Sequence, residues 1–261
     1  MTYAQFQQPP IAGYQHRAYV SARRRAQVTV VFLIVGAVVS LLTIPSHLLD
    51  MYVPKFEGNH EVADNPWGFV ALMLTAVLGI ATVAVYIATA IAFLMWLYRS
   101  SNNVAAFGKR TQHSSGWAVG SFFVPIMNLF VPYQATKDIW TKSGPAEAGT
   151  LSFATSPPGF FAAWWGFWIS SNIASNIYIR LTLADAPVEA SSIVGIFSEL
   201  LSIAAAAFAI KVVRDIDRRQ EERSRTLPQY AGPPPPPVFQ APAATPYTGA
   251  VAPEPSAPAS I

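Results

Sequence analysis

A carboxylate stands near the middle of a long apolar run. Glu199 lies within residues 188–213, which are otherwise almost free of charge. In hydrocarbon an acidic side chain costs about 2.5 to 3.5 kcal/mol on insertion scales for aspartate, so such a group is a candidate for function. In the preceding run, Asn172, Asn176 and Arg180 follow at four-residue steps and share one helical face, with Ser171 and Ser175 beside it. Only residues 184–187 separate the two runs, so they form an antiparallel hairpin that sets Glu199 level with Asn172. Two readings follow. A protonated Glu199 bonded to Asn172 joins two helices, a contact worth about 0.6 kcal/mol on average; or these groups form a proton or ligand site. Arg180, near the end of its run, reaches the interface on its own stem.

Other chemistry is sparse. His16, His47, His60 and His113 are scattered without metal-ligand spacing, and the chain has no cysteine, so thiolate chemistry and disulfides are excluded. It shows no zinc-protease, nucleophile-elbow, phosphate-loop or dinucleotide pattern. The sequence therefore reads as that of a non-enzyme with no cofactor and no metal. Gly108, Lys109 and Arg110 do not make a phosphate loop, and attraction to anionic lipid heads accounts for their charge.

The elements that must position these groups are membrane spans. Of 261 residues 52% are hydrophobic and only 12% charged, about half the charge of an ordinary soluble domain. A span needs about 20 apolar residues, and four segments qualify: 28–49, 69–97, 159–183 and 188–213. Trp67, Trp96, Tyr98, Trp164 and Trp165 stand near their boundaries, as an aromatic belt does. The first run follows Arg23–Arg24–Arg25 and exceeds the apolar core of a signal peptide, which reads as a retained anchor.

Residues 117–133 form a shorter uncharged stretch that carries Trp117, Pro125, Asn128 and Pro132, and its prolines would break a helix twice. Basic residues gather on the cytoplasmic side of membranes. If this stretch does not cross, all 17 Lys and Arg except Lys55 and Arg180 fall on that side; if it crosses, they split almost evenly. The fold expected is an all-α integral membrane protein of four transmembrane helices plus a Pro-broken re-entrant or interfacial helical element. Residues 134–143 read as a short helix at the interface.

Three regions follow: a disordered cytoplasmic tail over 1–26, a membrane domain over 27–215, and a charged, then Pro-rich, disordered cytoplasmic tail over 216–261. Eleven prolines lie beyond Arg225, among them the run 233–237. Such a segment is either a plain solvated tether or a polyproline ligand for aromatic-lined grooves of cytoplasmic proteins.

Several motifs resemble the domain-of-unknown-function family 4328: Leu97-Tyr98-Arg99, Asn103-Val104, Gly116-Trp117-Ala118-Val119-Gly120, Phe123-Val124-Pro125-Ile126, Asn128-Leu129, Pro132-Tyr133 and Asp138-Ile139-Trp140, then Trp164-Trp165, Trp168, Ser171-Asn172, Asn176 and Arg180. The resemblance spans roughly residues 25–215. It implies a multi-pass membrane protein, mostly actinobacterial, with no established activity, cofactor or catalytic residue. The expected place is the plasma membrane, with both termini cytoplasmic and lipid as the first partner; nucleic acid is not one, and the oligomeric state is not legible. The roles that remain are a scaffold recruiting cytoplasmic partners through its tails, a small transporter or proton-coupled carrier using Glu199, and, behind both, a membrane enzyme.

Overall fold

A computed structural model describes residues 18–52, 66–144 and 156–227. All belong to the unit Met1–Leu227. Expectations for residues 1–17, for Lys55 and His60 within 53–65 and for the Pro-rich tail 228–261 fall outside the described residues.

The described residues are helical. The helices are α1 (Arg23–Tyr52), α2 (Pro66–Ala106), α3 (Ser115–Gly120), α4 (Val131–Lys142), α5 (Phe160–Leu183) and α6 (Val188–Ser224), with short 3-10 turns at Ser121–Phe123 and Met127–Leu129. Helix α6 packs between α1 and α5, and α2 lies against α1. The α1–α2 seam is made of small and β-branched residues. Thr29 Oγ1 donates to the Ala92 carbonyl at 3.0 Å, Thr89 Oγ1 donates to that of Phe32 at 3.3 Å, and a Cβ on Gly36 would meet Val85 at 3.8 Å. Such contacts suit helices joined where water offers no hydrophobic drive.

Three helices are long and apolar enough to cross a membrane: Arg23–Met51, Leu72–Ala106 and Val188–Ser224. Their apolar side chains point outward, with Val77 62% and Ile80 72% exposed, as lipid contact requires. Helix α5 is not among the three, because Ser171, Asn172, Ser175 and Asn176 dilute its apolar content.

Two helices outrun their expected spans. Residues 99–106, read as loop, continue α2, and residues 214–224, read largely as tail, continue α6. At about 1.5 Å per residue α6 is about 56 Å long, nearly twice a hydrocarbon layer of about 30 Å. Its charged end, from Arg214, is therefore a stalk beyond the apolar part. Hydropathy marks where a helix leaves lipid and says nothing about where it stops. Residues 18–26, read as disordered, are also ordered here, with Ala22 and Ala26 buried.

The core sits at the stalk end of the bundle. Trp96, Leu97, Ile139, Trp140, Phe161, Val212, Val213 and Ile216 are all buried there. Helix α4 thus turns Ile139 and Trp140 into protein, which corrects the expectation of a helix lying on lipid: Leu97 of α2, Phe161 of α5 and Val213 and Ile216 of α6 supply the apolar surface.

Candidate functional site

The antiparallel α5–α6 hairpin forms across residues 184–187, where Asp185 takes the left-handed conformation (φ 50°) in a Schellman turn. Ser198 Oγ donates to the Ser171 carbonyl at 3.3 Å, which sets residues near 199 level with residues near 172. The side chains of Glu199 and Asn172 nevertheless have other partners. Asn172 Nδ2 donates to its own helix at the Trp168 carbonyl, 2.7 Å, and Asn176 Nδ2 to the Asn172 carbonyl, 2.9 Å. Glu199 instead lies close enough to Ser40 of α1 for the two side chains to interact. The reason is helical phase: Ser198 faces α5, and its neighbour is turned by about 100° at 3.6 residues per turn, toward α1. Arg180 is exposed.

A second polar group lies farther along the α1–α6 seam. His47 is buried, its ring set edge-on to Tyr178 with centroids 5.1 Å apart, and pressed on Gly195, where a Cβ would come 2.7 Å from His47 Cε1. Asp50 and Glu199 both lie within electrostatic reach of Tyr178. Ser40, Glu199, His47, Gly195 and Tyr178 thus form a polar seam among three helices. The scatter of histidines along the chain concealed His47. The signal was on the facing helix, where Ser191, Gly195 and Ser198 make a stripe of small residues that admits a close neighbour.

The stretch 117–133 is broken as its prolines require. Val124 is extended (φ −103°, ψ 112°), because the residue before a proline avoids the α region. Pro132 falls in the first turn of α4, where no intrahelical donor is needed, so it starts a helix instead of kinking one. Trp165 Nε1 pins the stretch by donating to the Leu129 carbonyl at 3.0 Å, and Phe122 packs edge-on against Trp165 and Trp168. Asn128 donates through its backbone N–H to the Val124 carbonyl at 2.8 Å. Trp117, Phe123, Ile126 and Phe130 are exposed. The Gln112 N–H donates to Asp138 Oδ2 at 2.7 Å, so the chain leaves and returns at one place.

A buried polar junction at the stalk end was not legible in the sequence. The Gln220 amide donates to the Ser100 carbonyl at 2.8 Å and to Ser143 Oγ at 3.0 Å, and accepts from Asn103 Nδ2 at 3.1 Å. Beside it the Trp140 indole donates to Asp215 Oδ2 at 2.6 Å, Arg218 pairs with Asp215 Oδ1 at 2.6 Å, and the Arg219 guanidinium lies 3.6 Å above the Trp140 ring. Burial alone would push the Asp215 carboxyl up, but the indole and the two guanidiniums outweigh it and hold the group below its ordinary range. Asp217 differs: burial, then the charge of Glu221, pushes it up to about 6 despite Arg23. Arg223 donates to the Gly144 carbonyl, while Tyr19 OH, at 2.9 Å, and Ser21 Oγ donate to Glu221.

The model of a family described as a domain of unknown function (DUF4328) matches residues 68–218. The chain belongs to that family. The DUF4328 match takes in α3 to α5, most of α2 and α6, and the junction except residues 19–23 and 219–223. It begins well after residue 25, so α1, with Ser40 and His47, lies outside it. No curated protein and no solved structure matches the chain.

Proposed function

We propose that this DUF4328 protein is a four-span scaffold of the plasma membrane that holds two cytoplasmic tails side by side to recruit partners. The observation that carries the reading is the bond from Tyr19 to Glu221, which brings the residues where both tails begin to one end of the bundle. Termini at one end call for an even number of passes, which α1, α2, α5 and α6 supply if α5 crosses. The return of the chain at Gln112 and Asp138 supports a re-entrant course for residues 113–137, with the exposed Phe123, Ile126 and Phe130 dipping into lipid. The rule that basic residues stay inside puts this end in the cytoplasm.

One experiment with two arms tests this. In intact cells an impermeant thiol reagent is expected to label Asn59→Cys and spare Ser256→Cys, against a background free of native cysteine. After cross-linking, partners captured by the full chain are expected to be lost when residues 228–261 are deleted. Labelling of Ser256→Cys, or identical partner lists, would remove the scaffold reading.

A proton-coupled carrier is the second reading, favoured by the seam of Ser40, Glu199, His47 and Tyr178. Glu199→Gln keeps the shape and the contact with Ser40 but cannot ionise. A carrier is expected to lose pH-dependent flux in this variant while folding normally. Retained flux would assign Glu199 to helix packing.

A further inference from the structure

Helix α2 ends in a Schellman turn: Gly108 adopts φ +70°, its N–H donates to the Ala105 carbonyl at 3.1 Å, and the Lys109 N–H to that of Val104 at 3.3 Å. The reversal folds residues 109–115 back over the last turns of α2 and leaves between them a cavity of about 380 Å³, at the small end of the range for ligand sites. Its lining includes Ser101, Lys109, Arg110, Gln112 and Ser115 and, among the described residues, no carboxylate. The adjacent acid, Asp138, is engaged by the Gln112 N–H and by Lys142 at 2.6 Å. Ser101 is 2% exposed, and its Oγ is buried without a hydrogen-bond partner. Buried hydroxyls are almost always paired. An oxygen acceptor brought into the cavity, and held by Lys109 and Arg110, would pair this one.

The depth of the cavity suggests where that oxygen comes from. Ser101 stands four residues past Leu97, about 6 Å along the helix, and headgroups extend about 5 to 8 Å beyond the hydrocarbon on each side. We infer that this cavity binds a phosphate-bearing anion, with Ser101 and Arg110 donating to its oxygens and Lys109 supplying charge. A phospholipid headgroup and free phosphate share that chemistry. The lipid source rests on the membrane placement proposed above; the phosphate source does not.

The test uses the full chain purified in neutral detergent and in phosphatidylcholine nanodiscs with or without phosphatidylglycerol. Native mass spectrometry counts retained phosphatidylglycerol, and titration with inorganic phosphate in lipid-free detergent measures the other source. Lys109→Gln/Arg110→Gln alters exposed residues and is expected to weaken binding about tenfold or more, as loss of hydrogen bonds between charged groups does. Ser101→Ala is expected to weaken it several-fold, and Arg24→Gln/Arg25→Gln to leave it unchanged. Retained phosphatidylglycerol with no phosphate binding identifies a headgroup site, and phosphate binding with the same variant pattern identifies a free-anion site; both support the inference. Three results would overturn it: neither ligand binding, Ser101→Ala binding as wild type, or the Arg24/Arg25 pair losing as much as the Lys109/Arg110 pair. The last would mean that only diffuse surface charge is at work.

Discussion

Replacing Trp140 by alanine is expected to cost about 3 to 5 kcal/mol of stability in detergent, the range for truncating a fully buried aromatic side chain. The ring is 2% exposed and sits edge-on to Phe161, with centroids 5.8 Å apart. It also carries the bond to Asp215 and lies beneath Arg219. Trp140→Phe separates these roles. Phenylalanine keeps most of the buried ring and part of the cation–π contact, but it has no N–H for the carboxylate, so about 1 to 3 kcal/mol should be lost. That loss should depend on pH. Asp215 is held below its ordinary range in the folded chain, so its contribution is present above the unfolded value of about 3.9 and disappears as pH falls through the lower folded value. Thermal unfolding followed by circular dichroism at pH 7 and pH 3 should therefore show the Trp140→Phe penalty shrinking at the lower pH. An equal penalty at both would mean that the indole does not serve an ionised carboxylate.

The parts of the fold written in hydropathy were legible. The bounds 159–183 and 188–213 place α5 and the apolar part of α6 almost where they lie, and the break at Pro125 follows from the proline ring. What hydropathy cannot encode is partnership between polar residues distant in sequence. Asn103 and Gln220 each follow a span and read singly as solvated polar groups, yet they bond across 117 residues inside protein. Glu199 was legible as a costly residue and its depth was fixed by the short loop, but its partner was not. That depends on helical phase, and a one-residue change of phase exchanges α5 for α1 as the neighbour. The likeness to DUF4328 had the same limit, since it located the motif 116–140 without showing what Trp140 touches.

Gln220→Leu is expected to cost about 2 to 4 kcal/mol, because it removes one amide and strands others. Gln220 is wholly buried, as are Ser100 and Ser143, and Asn103 is 2% exposed. Leucine fills nearly the same volume, so the loss comes from unpaired groups more than from a void. Asn103 Nδ2 and Ser143 Oγ lose their partner, and a buried polar group left unsatisfied costs about 1 to 3 kcal/mol. The same accounting makes the double variant the decisive one. Asn103→Leu alone strands the Gln220 carbonyl oxygen and removes the acceptor for the Val20 N–H, bonded at 3.4 Å. Changing both residues removes donor and acceptor together, so Asn103→Leu/Gln220→Leu should cost less than the two single changes added, with a coupling of about 1 kcal/mol or more. Hydrogen exchange gives a second readout: loss of the junction should free residues 18–22 from the end of α6 while the α1–α2 seam at Thr29 and Thr89 stays protected. Simple additivity of the single costs, or unchanged exchange at residues 18–22, would show that the amides are neighbours and not a network, and that the tails are held at the stalk end by packing alone.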